Sequence, residues 1–252
     1  MTAETRIILR FGTLTGREAK TVESKPLLNF KSLKEQVYEY LREAMRRGDL
    51  LPGSVIDMEE TSKKLGVSKT PLRDALLQLE MEGFVSILPR RKVEVNTLTL
   101  KDIKDYYEII GALESTALLQ GFDKMDDGHV KRMEKLNAEM KEAIENDDFD
   151  LYYEKNLEFH SLFLGACGNE NLQRIVTNLK KRLYDFPRQQ GFVKEWERAS
   201  TGEHAELVDL IRSRNRKEAA AHIRDVHWSY KVQEKFIVKY YAKSAVAMES
   251  RR

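Results

Sequence analysis

At 252 residues, with a third of them charged and 41% apolar, the chain has the composition of a folded, helix-rich protein long enough for two modest domains, which excludes a disordered or fibrous one. Its 43 basic residues nearly cancel its 41 acidic ones, so bulk charge announces no nucleic-acid partner, and any such partner must be read from where the charges sit. The single Cys167 excludes an internal disulfide, and no apolar run approaches the roughly 20 residues of a membrane span, so a cytoplasmic protein is expected.

Residues 1–32 carry a short β-like run, RIILRF, without a helical period, and are expected to form an N-terminal extension with a strand or hairpin. A small domain is expected over 33–98. It opens with Ser32 and Glu35, spaced as a capping box ahead of Leu33, Val37, Leu41 and Met45 on one helical face. GDLLPGS stops that helix. Asp57 and Glu60 have the spacing of a second box, opening a short helix that ends at Gly66. Ser68 is placed to cap a third helix, which runs through Leu72, Leu76 and Leu79 to Gly83. Two helices joined by a short glycine-containing turn follow the helix-turn-helix plan. FVSIL and KVEVN then read as two strands around a tip bearing Arg90, Arg91 and Lys92. From 99 to 243 the chain reads as six or seven amphipathic helices, broken at GFDKMDDG, ENDD, GNEN, FPRQQG and RNR, with a tail over 244–252. The expected fold is mainly α, a winged helix-turn-helix followed by an all-α antiparallel helical bundle.

The third helix begins with an unusual set of residues. A recognition helix enters the major groove of DNA with its N-terminal end leading, so that end must offer donors to phosphates and base edges. Ser68 and Thr70 supply hydroxyls, and the free N–H groups of the first turn favour a phosphate. Lys69 and Arg73 reach further, Arg73 with the fork that suits a guanine edge. Pro71 fits a first turn, where its missing N–H is not needed. Five of the eleven basic residues in 33–96 lie at this helix start or at the tip formed by Arg90, Arg91 and Lys92. A near-neutral domain can therefore present one cationic face to double-stranded DNA.

The run LKEQVYEYLREAMRRGDLLPGSVIDMEETSKKLGVSKTPLRDALLQLEMEGFVSILPRRKVEVN resembles the winged helix-turn-helix signature of the GntR family of bacterial transcription regulators nearly end to end. The resemblance implies an operator-binding homodimer and carries DNA-contact roles onto Ser68, Lys69, Thr70 and Arg73. Two positions depart from the pattern. Glu59 stands where many members have an arginine, and Lys92 where a wing glycine is usual. KDIKDYYEIIGALESTALL, NLEFHSLFLGACGNENL and GEHAELVDLIRSRN resemble landmarks of the FCD-type effector domain of the FadR subfamily. In many such domains an aspartate and three histidines hold a divalent metal that a carboxylate effector completes, so the resemblance implies a metal-binding, effector-binding bundle.

Asn156 occupies the aspartate position, four residues before His160 and on the same helical face. An amide oxygen is a weaker ligand than a carboxylate, so the histidines would carry the site and zinc or nickel would suit it better than magnesium. His204 is the second imidazole. The third is His227 or His222, since the two lie five apart, about 140° around a helix, and cannot both face one ion. His227 continues the stripe through Ile223 and Tyr230 and is favoured, although the resemblance places this histidine nearer Val226. The usual effector-clamping arginine is missing too, because EIIGALES has Ile110 and Gly111 there. That points to a carboxylate held by the metal, or to a larger acyl or apolar compound, with Arg182 and Arg188 as substitute anchors. Tyr106, Tyr107, Tyr152 and Tyr153 read as packing residues.

The function expected is a ligand-responsive DNA-binding regulator and not an enzyme. One rival is a constitutive DNA-binding dimer whose bundle only dimerises. The other is a metal-dependent hydrolase or lyase on the same histidines, against which no HExxH or similar motif is found.

Overall fold

A computed structural model describes residues 31–89, 92–184 and 193–249. The expected N-terminal strand or hairpin, together with Arg90, Arg91 and Arg188, lies outside the described residues.

Helix α1 (Leu33–Arg47) starts on the Ser32–Glu35 capping box, both bonds of which form, and stops at Gly48 in the left-handed region at φ +81°. A two-residue strand, β1 (Val55–Ile56), precedes α2 (Met58–Leu65). Asp57 accepts from the Glu59 and Glu60 backbone N–H groups, a one-way cap where the spacing suggested a reciprocal box. Helix α3 (Lys69–Met81) leads into β2 (Val85–Leu88) and β3 (Lys92–Val95). The sheet has the order β1-β3-β2, all antiparallel, with Ile56 opposite Val93 and Val85 opposite Val95. A pair of residues is too short to show alternation, which is why β1 is invisible in the sequence. Leu41, Met45, Leu72, Leu76, Leu79, Phe84 and Val93 close a first hydrophobic core beneath these elements.

Seven α-helices follow among the described residues: α4 (Leu100–Gly121), α5 (Asp127–Glu145), α6 (Phe149–Cys167), α7 (Glu170–Tyr184), α8 (Lys194–Arg212), α9 (Arg216–His222) and α10 (Tyr230–Glu249). A 3₁₀ turn, Phe122–Lys124, follows α4, and a π turn, Ile223–His227, follows α9. They enclose a second core built on Ile103, Ile110, Leu118, Met133, Phe159, Phe163 and Ile223. Helix α4 runs through its middle. At Gly121 a Cβ would sit 2.7 Å from the Cys167 backbone nitrogen, so only glycine lets α4 approach α6 this closely. Arg46 on α1 pairs with Asp150 on α6 at 2.7 Å, and Arg182 on α7 lies 5.2 Å over the Phe84 ring, tying the bundle to the helix-turn-helix. No helix among the described residues is long and apolar enough to cross a membrane.

Candidate functional site

Two groups of polar residues stand apart, one exposed and one buried. At the exposed site, the N-terminal turn of α3 and the start of α2 share a shallow concavity lined by Glu59, Lys69, Thr70 and Arg73. Ser68, Lys69, Thr70 and Arg73 are all exposed. Ser68 sits at the N-cap with extended backbone, yet its hydroxyl makes no capping bond and stays available to an external partner. Glu59 lies 3.2 Å from Lys63 and 3.6 Å from Lys69, so the acid that replaces the usual arginine draws Lys69 toward α2. On the wing, Lys92 pairs with Glu94 at 2.9 Å.

The buried site lies inside the bundle. His160 from α6, His204 from α8 and His227 at the end of the π turn each offer a ring nitrogen within 4.8 Å of the other two, and all three are buried. Carboxylates fix two of the rings. His160 Nδ1 donates to Glu114 Oε2 at 2.8 Å and His227 Nδ1 to Glu203 Oε2 at 2.8 Å, which leaves both Nε2 lone pairs free for a ligand. His160 Nε2 and both nitrogens of His204 have no hydrogen-bond partner. Nor has Asn156 Oδ1, although Asn156 is only 3% exposed and its Nδ2 donates to the Tyr184 hydroxyl at 3.5 Å. Buried polar atoms are nearly always satisfied, so four orphans on Asn156, His160 and His204 call for a missing partner. An ion bound through imidazole nitrogens fits that need, and the donor set suits zinc or nickel rather than magnesium.

A second tier holds this arrangement in place. Glu114 is fully buried on α4, accepts from His160 and from Trp228 Nε1 at 2.7 Å, and forms an ion pair with Lys180 Nζ at 2.5 Å. Burial opposes ionisation of Glu114, but His160 and Lys180 outweigh it and hold the carboxyl at about 2. Burial lowers His160 to about 3 against the pull of Glu114, and burial likewise drives His204 well below the usual histidine value. At neutral pH both rings are therefore unprotonated, the state a metal requires. On the other side Glu203 also accepts from Gln233 Nε2 at 2.7 Å, and Gln233 Oε1 accepts from Trp196 Nε1 at 2.9 Å, which links His227 to α8 and α10.

The third histidine depends on the π turn. Its wider winding adds a residue to the register of the helix, so a histidine one position beyond the resembling pattern still turns inward. His222 points elsewhere, with Nε2 2.9 Å from the Glu203 carbonyl oxygen and Nδ1 3.7 Å from Glu206. The absence of an arginine beside Glu114 also has a steric cause. A Cβ at Gly111 would lie 2.9 Å from that of Trp228, and Ile110 is fully buried. Arg182 faces Phe84 rather than the histidines. Glu114, Lys180, Glu203 and Gln233 escape sequence reasoning altogether, since each reads alone as an ordinary polar residue on an amphipathic helix.

Beside His227 opens a cavity of about 70 Å³ lined by Asn156 and by Tyr107, Tyr152, Tyr153 and Trp228, among others. Space on this scale holds about five waters or one small molecule.

Residues 33–95 match the family of bacterial regulatory proteins, gntR family, and residues 105–227 match the FCD domain. An uncharacterized HTH-type transcriptional regulator from the TAR-I ttuE-ttuC' intergenic region of Agrobacterium vitis is 30% identical over 136 residues, covering 52% of this chain and 78% of that protein. The chain belongs to the GntR family. It is accordingly a bacterial DNA-binding transcription regulator with an FCD domain. The GntR relatives include the uncharacterized HTH-type transcriptional regulator YdhC of Bacillus subtilis, 27% identical over 75% of this chain and 84% of that protein. The solved structure of McbR/YncC from E. coli has the same fold, with a TM-score of 0.65 at 18% identity over 85% of this chain and 99% of that one.

Proposed function

We propose that this regulator binds a palindromic operator as a homodimer and that a small molecule in the bundle, bound beside a divalent metal, changes operator affinity. The observation that carries the reading is the buried histidine group, in which His160 Nε2 and both nitrogens of His204 lack partners while carboxylates fix the rings of His160 and His227. His160, His204 and His227 would hold the ion, with Asn156 as a fourth, weaker ligand. When bound, zinc or nickel supplies a Lewis-acidic position open to an electron-pair donor of the effector. Glu114 and Glu203 hold the imidazole tautomers, and Lys180 keeps Glu114 ionised. Ser68, Lys69, Thr70 and Arg73 take the DNA contacts, with Lys92 against the phosphate backbone of each half-site. The effector shifts operator affinity only by binding unequally to the two dimer arrangements. Glu158, the acid nearest His160 in sequence, is paired with Arg132 and so is no candidate for the general base that a hydrolytic reading would need.

The test combines elemental mass spectrometry of unchelated full-length protein with fluorescence anisotropy on a duplex that the protein selects from a random pool. About one divalent ion per chain, lost in His160→Ala, is the expected result, together with affinity that falls steeply with salt. Protein that carries no ion in either form sinks the metal, and affinity for DNA insensitive to salt sinks the operator reading.

A further inference from the structure

The concavity between the starts of α2 and α3 carries a feature that attraction to phosphate does not explain. A surface that meets a polyanion gains from cations and loses from acids, yet Glu59 holds an exposed carboxylate beside Lys69, Thr70 and Arg73. The other acids of the concavity have different settings. Asp57 accepts from the Glu59 and Glu60 backbone N–H groups, Glu80 Oε1 accepts from the Ile87 N–H at 2.8 Å, and Asp74 lies one turn beyond the α3 start. Glu59 instead reaches the leading residue of α3. Its Oε1 faces Lys63 at 3.2 Å and its Oε2 lies 3.6 Å from Lys69 Nζ, with the Glu59 and Lys69 side chains 63% and 60% exposed. At 3.6 Å the two charges attract without a hydrogen bond. The ammonium therefore keeps its donors and the carboxylate oxygen its lone pairs, so the two helix starts present an acceptor and a donor side by side.

That pair has a complement in the major groove. A C·G base pair shows there the cytosine N4 donor and the guanine O6 acceptor, which the pairing itself holds about 2.9 Å apart. Beyond O6 lies guanine N7, a second acceptor for the ammonium, and beyond N4 no acceptor repels the carboxylate. An A·T pair fits less well, because adenine N7 faces the carboxylate and the thymine methyl crowds the ammonium. We infer that Glu59 and Lys69 together read one C·G base pair of each half-site, Glu59 accepting from cytosine N4 and Lys69 donating to guanine O6 and N7. The inference rests on the reading that the α3 start enters the major groove, and it adds Glu59 as a residue that sets specificity. On any other sequence the same carboxylate meets acceptors or phosphates and repels them, which penalises the wrong site.

The test begins with a duplex that the full-length protein selects from a random pool. Each cytosine of the enriched motif is then replaced in turn by N4-methylcytosine, which still pairs with guanine but carries its methyl on the groove-facing side of N4. Fluorescence anisotropy is expected to find one cytosine per half-site where the methyl weakens the parent by about tenfold and Glu59→Ala by less than about twofold, on the scale of one base-edge contact. Glu59→Gln keeps the side chain's size and offers the amide that suits adenine, so selection with it is expected to replace that cytosine by adenine. Glu59 is exposed, so neither substitution empties a core position. A methyl effect that persists in Glu59→Ala, or that disappears instead in Asp74→Asn, overturns the inference, and so does a motif in which no cytosine is sensitive to the methyl. A motif that both Glu59 variants read unchanged leaves the groove reading standing and defeats this inference alone. A pool that yields no motif defeats both.

Discussion

The exposed start of α3 and the buried histidine group are both clusters of polar side chains, but opposite physics assembles them. At the α3 start the residues are consecutive in the chain, exposed, and held by one helix N-terminus. At the histidine group they come from α4, α6, α7, α8 and the π turn, and most are held by a hydrogen bond or ion pair to a residue distant in sequence, as His160 and Lys180 are to Glu114 and His227 to Glu203. A cluster of the first kind can lose a member without cost to the fold. One of the second kind cannot, because a buried partner left alone has lost its water and gained nothing in return.

The largest expected effect breaks the buried cluster. Glu114→Ala strands Lys180 Nζ and Trp228 Nε1 inside the bundle, and urea unfolding is expected to show a loss of about 3–5 kcal/mol. Adding Lys180→Met removes the orphaned charge and should restore much of that loss. A double variant no more stable than Glu114→Ala would mean that the pair is not coupled as its 2.5 Å separation implies.

Arg73→Ala makes the complementary test at the exposed cluster. Unfolding free energy should stay within about 0.5 kcal/mol of the parent, as is usual for surface changes. Affinity for the selected duplex should fall by about 1–3 kcal/mol if Arg73 reads a base edge, and discrimination at that base should relax. Equal weakening on every duplex would instead assign Arg73 to phosphate.

These two regions also differ in how much of them the sequence discloses. Everything that defines the α3 start lies within a few residues, so caps, the glycine turn and basic spacing are legible, and the resemblance over 33–96 adds to them. In the bundle the histidines stand out by residue type, and the Asn156/His160 spacing shows that they share a face. Their wiring does not stand out. Glu114 and Lys180 are 66 positions apart, and nothing local marks either as buried. The π turn is equally silent, because helical periodicity read at 3.6 residues per turn cannot announce the residue that widens it. The tyrosines at 107, 152 and 153 read as packing, and they do pack, but they also wall a cavity that only the assembled helices create.

Acid sharpens the contrast by acting on the buried cluster rather than on the cationic residues of the α3 start. His160 is lowered to about 3 from an ordinary 6.5, so below pH 6.5 the unfolded chain takes up a proton that the folded chain resists. Stability therefore rises with pH through this window, is complete above about 6.5 and is lost progressively toward 3. Thermal unfolding of chelator-stripped protein should show this decline, and His160→Gln should flatten it. An unchanged slope in that variant would place the acid sensitivity elsewhere.

The smallest expected effect compares two serines in the same N-cap position. Ser32 accepts from the Glu35 backbone N–H at 3.2 Å, whereas Ser68 makes no capping bond although its backbone is extended in the manner of a cap. Ser32→Ala should therefore cost about 1 kcal/mol in urea unfolding and leave DNA affinity unchanged. Ser68→Ala should do the opposite, leaving stability unchanged and weakening DNA binding by roughly the worth of one hydrogen bond, about 1 kcal/mol. The difference of differences is what matters, since both substitutions delete the same hydroxyl from the same kind of position. If Ser68→Ala destabilises as much as Ser32→Ala, its hydroxyl caps α3 in solution and the DNA contact must fall to Lys69, Thr70 and Arg73 without it.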